Sequence, residues 1–74
     1  MEEMELQELT KKLSLDVFNK PFVDEVYFNH RLRTTGGRYL PRKRVVELNP
    51  KYLKELGYEE FVGIIKHELI QSMI

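Results

Sequence analysis

The order of residue patterns along this 74-residue chain predicts an α+β fold: an N-terminal helix, a three-stranded antiparallel meander, a short helix and a final helix. Three observations carry that prediction. Leucines at helical spacing open the chain, short runs of alternating or β-branched residues fill its middle, and a second helical stripe closes it. At this length one domain spanning residues 1–74 is expected, with a core that supplies a net stability of roughly 3 to 5 kcal/mol.

The first helix is expected from Glu2 to about Val17, where Leu6, Leu9, Leu13 and Val17 recur every three or four positions. Its glutamates come early and Lys11 and Lys12 later, as the helix dipole favours. Asn19, Lys20 and Pro21 end the pattern. A first strand follows from Asp24 to Asn29, with Val26 and Phe28 on one face and Glu25 and Tyr27 on the other. Thr34-Thr35-Gly36-Gly37 then supplies residues that permit positive φ or a close backbone approach, so a turn or bulge is expected before a second strand, Arg38-Tyr39-Leu40. Gly36 and Gly37 are no phosphate loop, because the lysine and the following helix of that motif are absent.

Pro41, Arg42 and Lys43 make a tight connection to the third strand, Arg44 to Leu48, in which Val46 and Leu48 share a face. Asn49-Pro50 has the chemistry of a helix start and Gly57 that of a helix end, so a short helix lies between them. Glu59 and Glu60 open the final helix, whose core stripe is Phe61, Ile65 and Leu69, widened by Val62 and Ile64.

Composition narrows the function classes. Twelve basic and twelve acidic residues cancel, so net charge points neither to nucleic acid nor to an acidic partner. Cysteine is absent, which excludes disulfides, thiolate metal sites and a cysteine nucleophile together. No apolar run approaches the ~18 residues of a membrane span, and the acidic N-terminus is unlike a signal peptide. A cytoplasmic protein without a membrane partner is expected.

The motif with chemical content is His67-Glu68-Leu69-Ile70-Gln71 in the final helix. A complete H-E-x-x-H sets two imidazoles on one helix face over a metal, with the glutamate as general base. Here His67 and Glu68 are in place and Gln71 stands where the second histidine would be. Zinc sites are built from His, Cys and carboxylate ligands, and the one other histidine, His30, falls far away in a predicted hairpin.

Three separated words extend the signal: Tyr27-Phe28-Asn29-His30-Arg31-Leu32-Arg33-Thr34-Thr35-Gly36-Gly37-Arg38-Tyr39, then Glu47-Leu48-Asn49-Pro50, then Gly63-Ile64-Ile65-Lys66-His67-Glu68-Leu69. In this order they resemble the bacterial SprT-like protein family, over about Leu6 to Leu69. The resemblance implies the N-terminal part of a zincin-type zinc metalloprotease, with His67 matching the first zinc ligand and Glu68 the catalytic base. It supplies neither a second ligand, because Gln71 holds that place, nor a third, which in the family lies beyond this helix. Zinc is therefore a cofactor by resemblance, a catalytically inactive chain is expected, and Ile70–Ile74 read as an unrelated tail.

The resemblance also makes Gly37, Arg38, Tyr39 and Leu40 a candidate edge strand for an extended peptide or protein substrate. Two alternatives from other classes accompany it. Arg31, Arg33, Arg38, Arg42, Lys43 and Arg44 form an acid-free stretch interleaved with aromatics. Of these Arg38, Arg42, Lys43 and Arg44 are candidate nucleic-acid contacts, against a plain reading as a solvated sheet face. Leu69, Ile70, Met73 and Ile74 are expected to leave an apolar end that favours self-association through the final helix.

Overall fold

The computed structural model describes residues 1–74. Helix α1 (Glu3–Phe18) is followed by strands β1 (Glu25–Phe28), β2 (Gly37–Leu40) and β3 (Val45–Leu48), then helices α2 (Pro50–Leu56) and α3 (Tyr58–Ser72). The α+β class and the element order match the sequence reading. The sheet topology differs from it.

Helix α1 begins with a capping box, in which Glu2 accepts from the Glu5 backbone and its own N–H donates to the Glu5 carboxylate. It ends at Asn19 in the left-handed region, φ 55°, a conformation Asn tolerates. The buried face is Leu6, Thr10 and Ser14, with Leu9, Leu13 and Phe18 packed at its margin. Val17, assigned to the core by periodicity, is 48 % exposed. Two hydroxyls take the inner positions because both are satisfied locally: Thr10 Oγ1 donates to the Leu6 carbonyl at 2.8 Å and Ser14 Oγ to the Lys20 carbonyl at 2.6 Å. A buried hydroxyl costs little once it is bonded.

The strands are ordered β1-β3-β2, with β3 parallel to β1 and antiparallel to β2. The predicted antiparallel meander is therefore corrected to a mixed sheet. Residues 29–36, between β1 and β2, do not form a tight turn and carry the chain past the position that β3 later fills. Only the β2–β3 hairpin is local. Its turn closes with Arg44 at φ 56°.

The two sheet edges are treated differently. Outward N–H groups of β1 are taken up by α1 side chains: Val26 N–H donates to Gln7 Oε1 and Phe28 N–H to Glu3 Oε2, each at 3.2 Å. Gln7 Nε2 returns a bond to the Asp24 carbonyl. These contacts cover an edge that would otherwise offer unpaired groups to another chain. The other edge, β2, receives no such bonds from side chains.

Both long helices pack on the sheet, α1 against β1 and α3 against β2 and β3. Between them lies a core of Leu6, Phe22, Val26, Val46, Leu48, Phe61, Ile65 and Leu69. The Phe28 and Phe61 rings stack at 5.9 Å. The expectation of an exposed apolar C-terminal end is corrected in two of its four residues: Leu69 is fully buried and Met73 packs against the core, because their face of α3 turns inward. Ile70 and Ile74 are exposed.

Asn49 joins the sheet to α2 and the preceding loop. It is 2 % exposed. Its Oδ1 accepts from Lys51 N–H as an N-cap, and its Nδ2 donates to the carbonyls of Leu32 and Thr35 at 3.0 and 3.1 Å. Its backbone N–H donates to the Gly36 carbonyl at 2.8 Å. One side chain thus caps a helix and ties down the segment that leads into β2.

Candidate active site

Neighbouring residues on a helix point about 100° apart, so His67 and Glu68 look in different directions. Glu68 turns inward toward β2 and is only 6 % exposed, while His67 faces solvent. Both line a groove of about 400 Å³ between α3, Tyr52 of α2 and the Gly36-Gly37 backbone. The Glu68 carboxylate has no hydrogen-bond or ion-pair partner in the protein, yet no buried side-chain oxygen is left sealed from solvent. It therefore reaches the open groove. Burial holds its pKa above the ordinary glutamate value, with the neighbouring charge of His67 acting weakly in the opposite direction. A carboxylate that is mostly buried, unpartnered and facing a groove is suited to taking or giving a proton.

The glycine pair makes this arrangement possible. A methyl group on Gly37 would sit 2.9 Å from Leu48 Cδ2 and 3.1 Å from Glu68 Cγ, and one on Gly36 would sit 2.9 Å from Ile64 Cδ1. Of the two roles open to these glycines, close approach is the one used; neither has positive φ. Bare backbone at the start of β2 lets α3 come close enough to bury Glu68.

The structure assembles no zinc ligand set around His67. No three His, Cys, Asp or Glu side chains are grouped so as to hold a metal ion. His67 lies one turn from Gln71, and both are exposed. His30 lines two other grooves, near Glu2, Glu3, Pro50 and Lys54, and does not share the groove of His67. These residues do not fit a catalytic zinc, which needs three protein ligands.

The candidate nucleic-acid residues divide. Arg38 Nε bonds Glu47, which also accepts from Asn29 Nδ2. Burial by itself would raise the Glu47 pKa, but the bonds from Arg38 and Asn29 and the charges of Arg38 and Lys43 outweigh it and hold the carboxyl below its ordinary value. Arg44 Nε donates to Asp24 Oδ1 at 2.9 Å, and Tyr39 Oη donates to the other oxygen of the same carboxylate at 3.1 Å. Burial, then the bond to Asp24, raise the Tyr39 pKa. Arg42 and Lys43 alone of the four are exposed and unpaired. Of the candidate substrate edge, Gly37 lines the groove, whereas Arg38, Tyr39 and Leu40 continue along the edge strand beyond it.

Sequence reasoning missed Tyr52, Glu60, Gly63 and Ile64 as groove residues. Three of them were within reach, since Glu60, Gly63 and Ile64 precede His67 by seven, four and three positions and so share its helix face. Tyr52 had no such signal, because only the packing of α2 on α3 brings it there.

Comparison with known proteins agrees with the motif order. The sequence model of the SprT-like family matches residues 6–74, continuing past Leu69 through Gln71 to Ile74. Proteins named "Protein SprT-like" are similar over nearly the whole chain. The one from Oceanobacillus iheyensis is 72 % identical over 67 residues, covering 90 % of this chain and 45 % of that protein. That from Bacillus subtilis is 56 % identical over 69 residues, covering 93 % and 46 %. Anoxybacillus flavithermus has one that is 55 % identical with the same coverage. The chain thus spans a little under half the length of these curated relatives. No solved structure matches it. With its three motifs in order, its Glu68 groove and a family match over almost every residue, the chain belongs to the SprT-like family.

Proposed function

We propose that this chain carries the N-terminal part of a zinc-peptidase site, with Glu68 as general base and His67 as the first zinc ligand, and that by itself it is catalytically incompetent. The observation that carries the reading is the Glu68 carboxylate, buried without a partner and open to a groove beside His67. The incompetence follows from the donor set, in which one exposed histidine stands alone. The substrate is an extended peptide or protein segment lying along β2. Support for that comes from the contrast between the edges, with β1 closed by Gln7 and Glu3 and β2 open beside α3. A nucleic-acid role has less support, since Arg38 and Arg44 are engaged in ion pairs.

The test has two stages. Metal analysis of the chain purified without added zinc is expected to give substoichiometric zinc, and a casein assay no cleavage; stoichiometric zinc with peptidase activity would overturn the incompetence. The second stage joins Gln71→His to the second half of the Bacillus subtilis relative. Zinc binding and cleavage are expected, and Glu68→Gln in that chimera should keep the zinc and lose the cleavage. A chimera that cleaves equally well with Glu68→Gln would remove Glu68 from its role.

A further inference from the structure

We propose that the groove beside Glu68 selects a basic side chain, held between the ring of Tyr52 and the carboxylate of Glu60. The inference rests on the reading of this groove as a peptide site and names its specificity.

Charge is the first support. Glu60 and Glu68 both line the groove, no lysine or arginine does, and neither carboxylate has an ion-pair partner. Two unpaired carboxylates repel an acidic peptide and attract a cation. Glu68 is 94 % buried, whereas Glu60 is exposed and free to meet a solvated ammonium or guanidinium.

Shape is the second. The phenol of Tyr52 donates to the Thr34 carbonyl, and its ring lies against the Gly36 backbone, where a methyl group would approach it to 3.2 Å. The ring is therefore anchored at its hydroxyl and lines the groove, where an aromatic side chain can take part in cation–π contact. Gly63 lies between Glu60 and His67 on the same helix, and nothing comes within 4 Å of the place a side chain would start. That open floor has room for the methylene stem of a lysine or arginine.

Spacing is the third. Glu60 and Glu68 are eight residues apart on α3, about 12 Å along the axis. An extended peptide covers that distance in about three to four residues. A peptide whose reacting carbonyl lies against Glu68 thus places a side chain three or four residues along over Glu60, a position distinct from the reacting bond. Glu60 and Tyr52 are specificity residues and not catalytic ones.

The experiment uses the full chain and capped alanine-rich hexapeptides containing a single Arg, norleucine or Glu, followed by amide chemical shifts at low salt. The Arg peptide should bind about five- to tenfold more tightly than the norleucine peptide and the Glu peptide more weakly than either, with shifts at Gly36, Gly37 and Gly63. Glu60→Lys, at an exposed position, should remove or invert the preference, and Tyr52→Leu should reduce it. If Arg and norleucine peptides bind the groove equally, the basic subsite is refuted while the peptide groove stands. If no peptide moves the groove glycines, both readings fall.

Discussion

Replacing Asn49 tests the packing logic most directly, because local and tertiary readings of that residue predict different outcomes. Read as an N-cap alone, Asn49 loses about 1 kcal/mol on conversion to alanine and nothing on conversion to aspartate, since Asn and Asp cap equally well. The structure adds two bonds from Nδ2 to the Leu32 and Thr35 carbonyls, at a site 2 % exposed. Losing each leaves a carbonyl short of a donor, at about 1 kcal/mol apiece for groups that water can partly reach. Asn49→Ala should therefore cost about 3 kcal/mol, close to the whole net stability of roughly 3 to 5 kcal/mol for a chain of this size. At about 4 to 8 °C per kcal/mol the melting temperature falls by about 12 to 24 °C. Asn49→Asp keeps the cap but directs a carboxylate at two carbonyls, and should destabilise at least as much as alanine at neutral pH. Urea and thermal unfolding followed by circular dichroism measure both variants. An aspartate variant within about 0.5 kcal/mol of the parent would refute the tertiary role.

Gly37→Ala should destabilise the chain by about 1 to 3 kcal/mol through overpacking against Leu48 and Glu68, seen as a lower urea midpoint; an unchanged midpoint would mean that α3 does not need the close approach. Glu68→Gln should stabilise the fold at neutral pH by about 1 kcal/mol, because it removes a buried charge that has no partner, and equal or lower stability would contradict the burial argument. Glu47 titrates below its ordinary value in the folded chain, so its contribution is full above the unfolded glutamate pKa and is lost as pH falls through the lower folded value. Acid unfolding should become shallower in that window on Arg38→Met, and an identical pH profile would deny the Arg38–Glu47 coupling. Only Arg42 and Lys43 remain free on the hairpin, so any binding of a single-stranded oligonucleotide through it should show a log–log salt slope no steeper than about −1.4; a steeper slope would show more cations at work.

The parts of the fold legible in the sequence are those set by near neighbours. The Asn49-Pro50 start and the Gly57 end of α2 depend on backbone conformation at single residues, and the Phe61, Ile65 and Leu69 stripe depends on helical period, so each carried through unchanged. Periodicity failed in α1 at Thr10 and Ser14, because a hydroxyl bonded within four to six residues is buried at little cost and carries no hydrophobic signal. It failed again in the sheet. Alternation tells which residues form a strand but not which neighbour it takes, and the residues 29–36 connection left room for β3 to enter between β1 and β2.

The same division runs through the candidate site. His67, Glu68 and Gln71 are written in one short stretch of sequence, and together with the two upstream motifs that stretch made the family legible. Burial of Glu68, the use of Gly36 and Gly37 for close approach, and the presence of Tyr52 and Glu60 in one groove were decided by tertiary structure alone. Chemical identity is a property of single residues and spacing along a helix, whereas desolvation and enclosure are properties of what packs around them. Here, what packs around Glu68 comes from a strand and a helix distant from it in sequence.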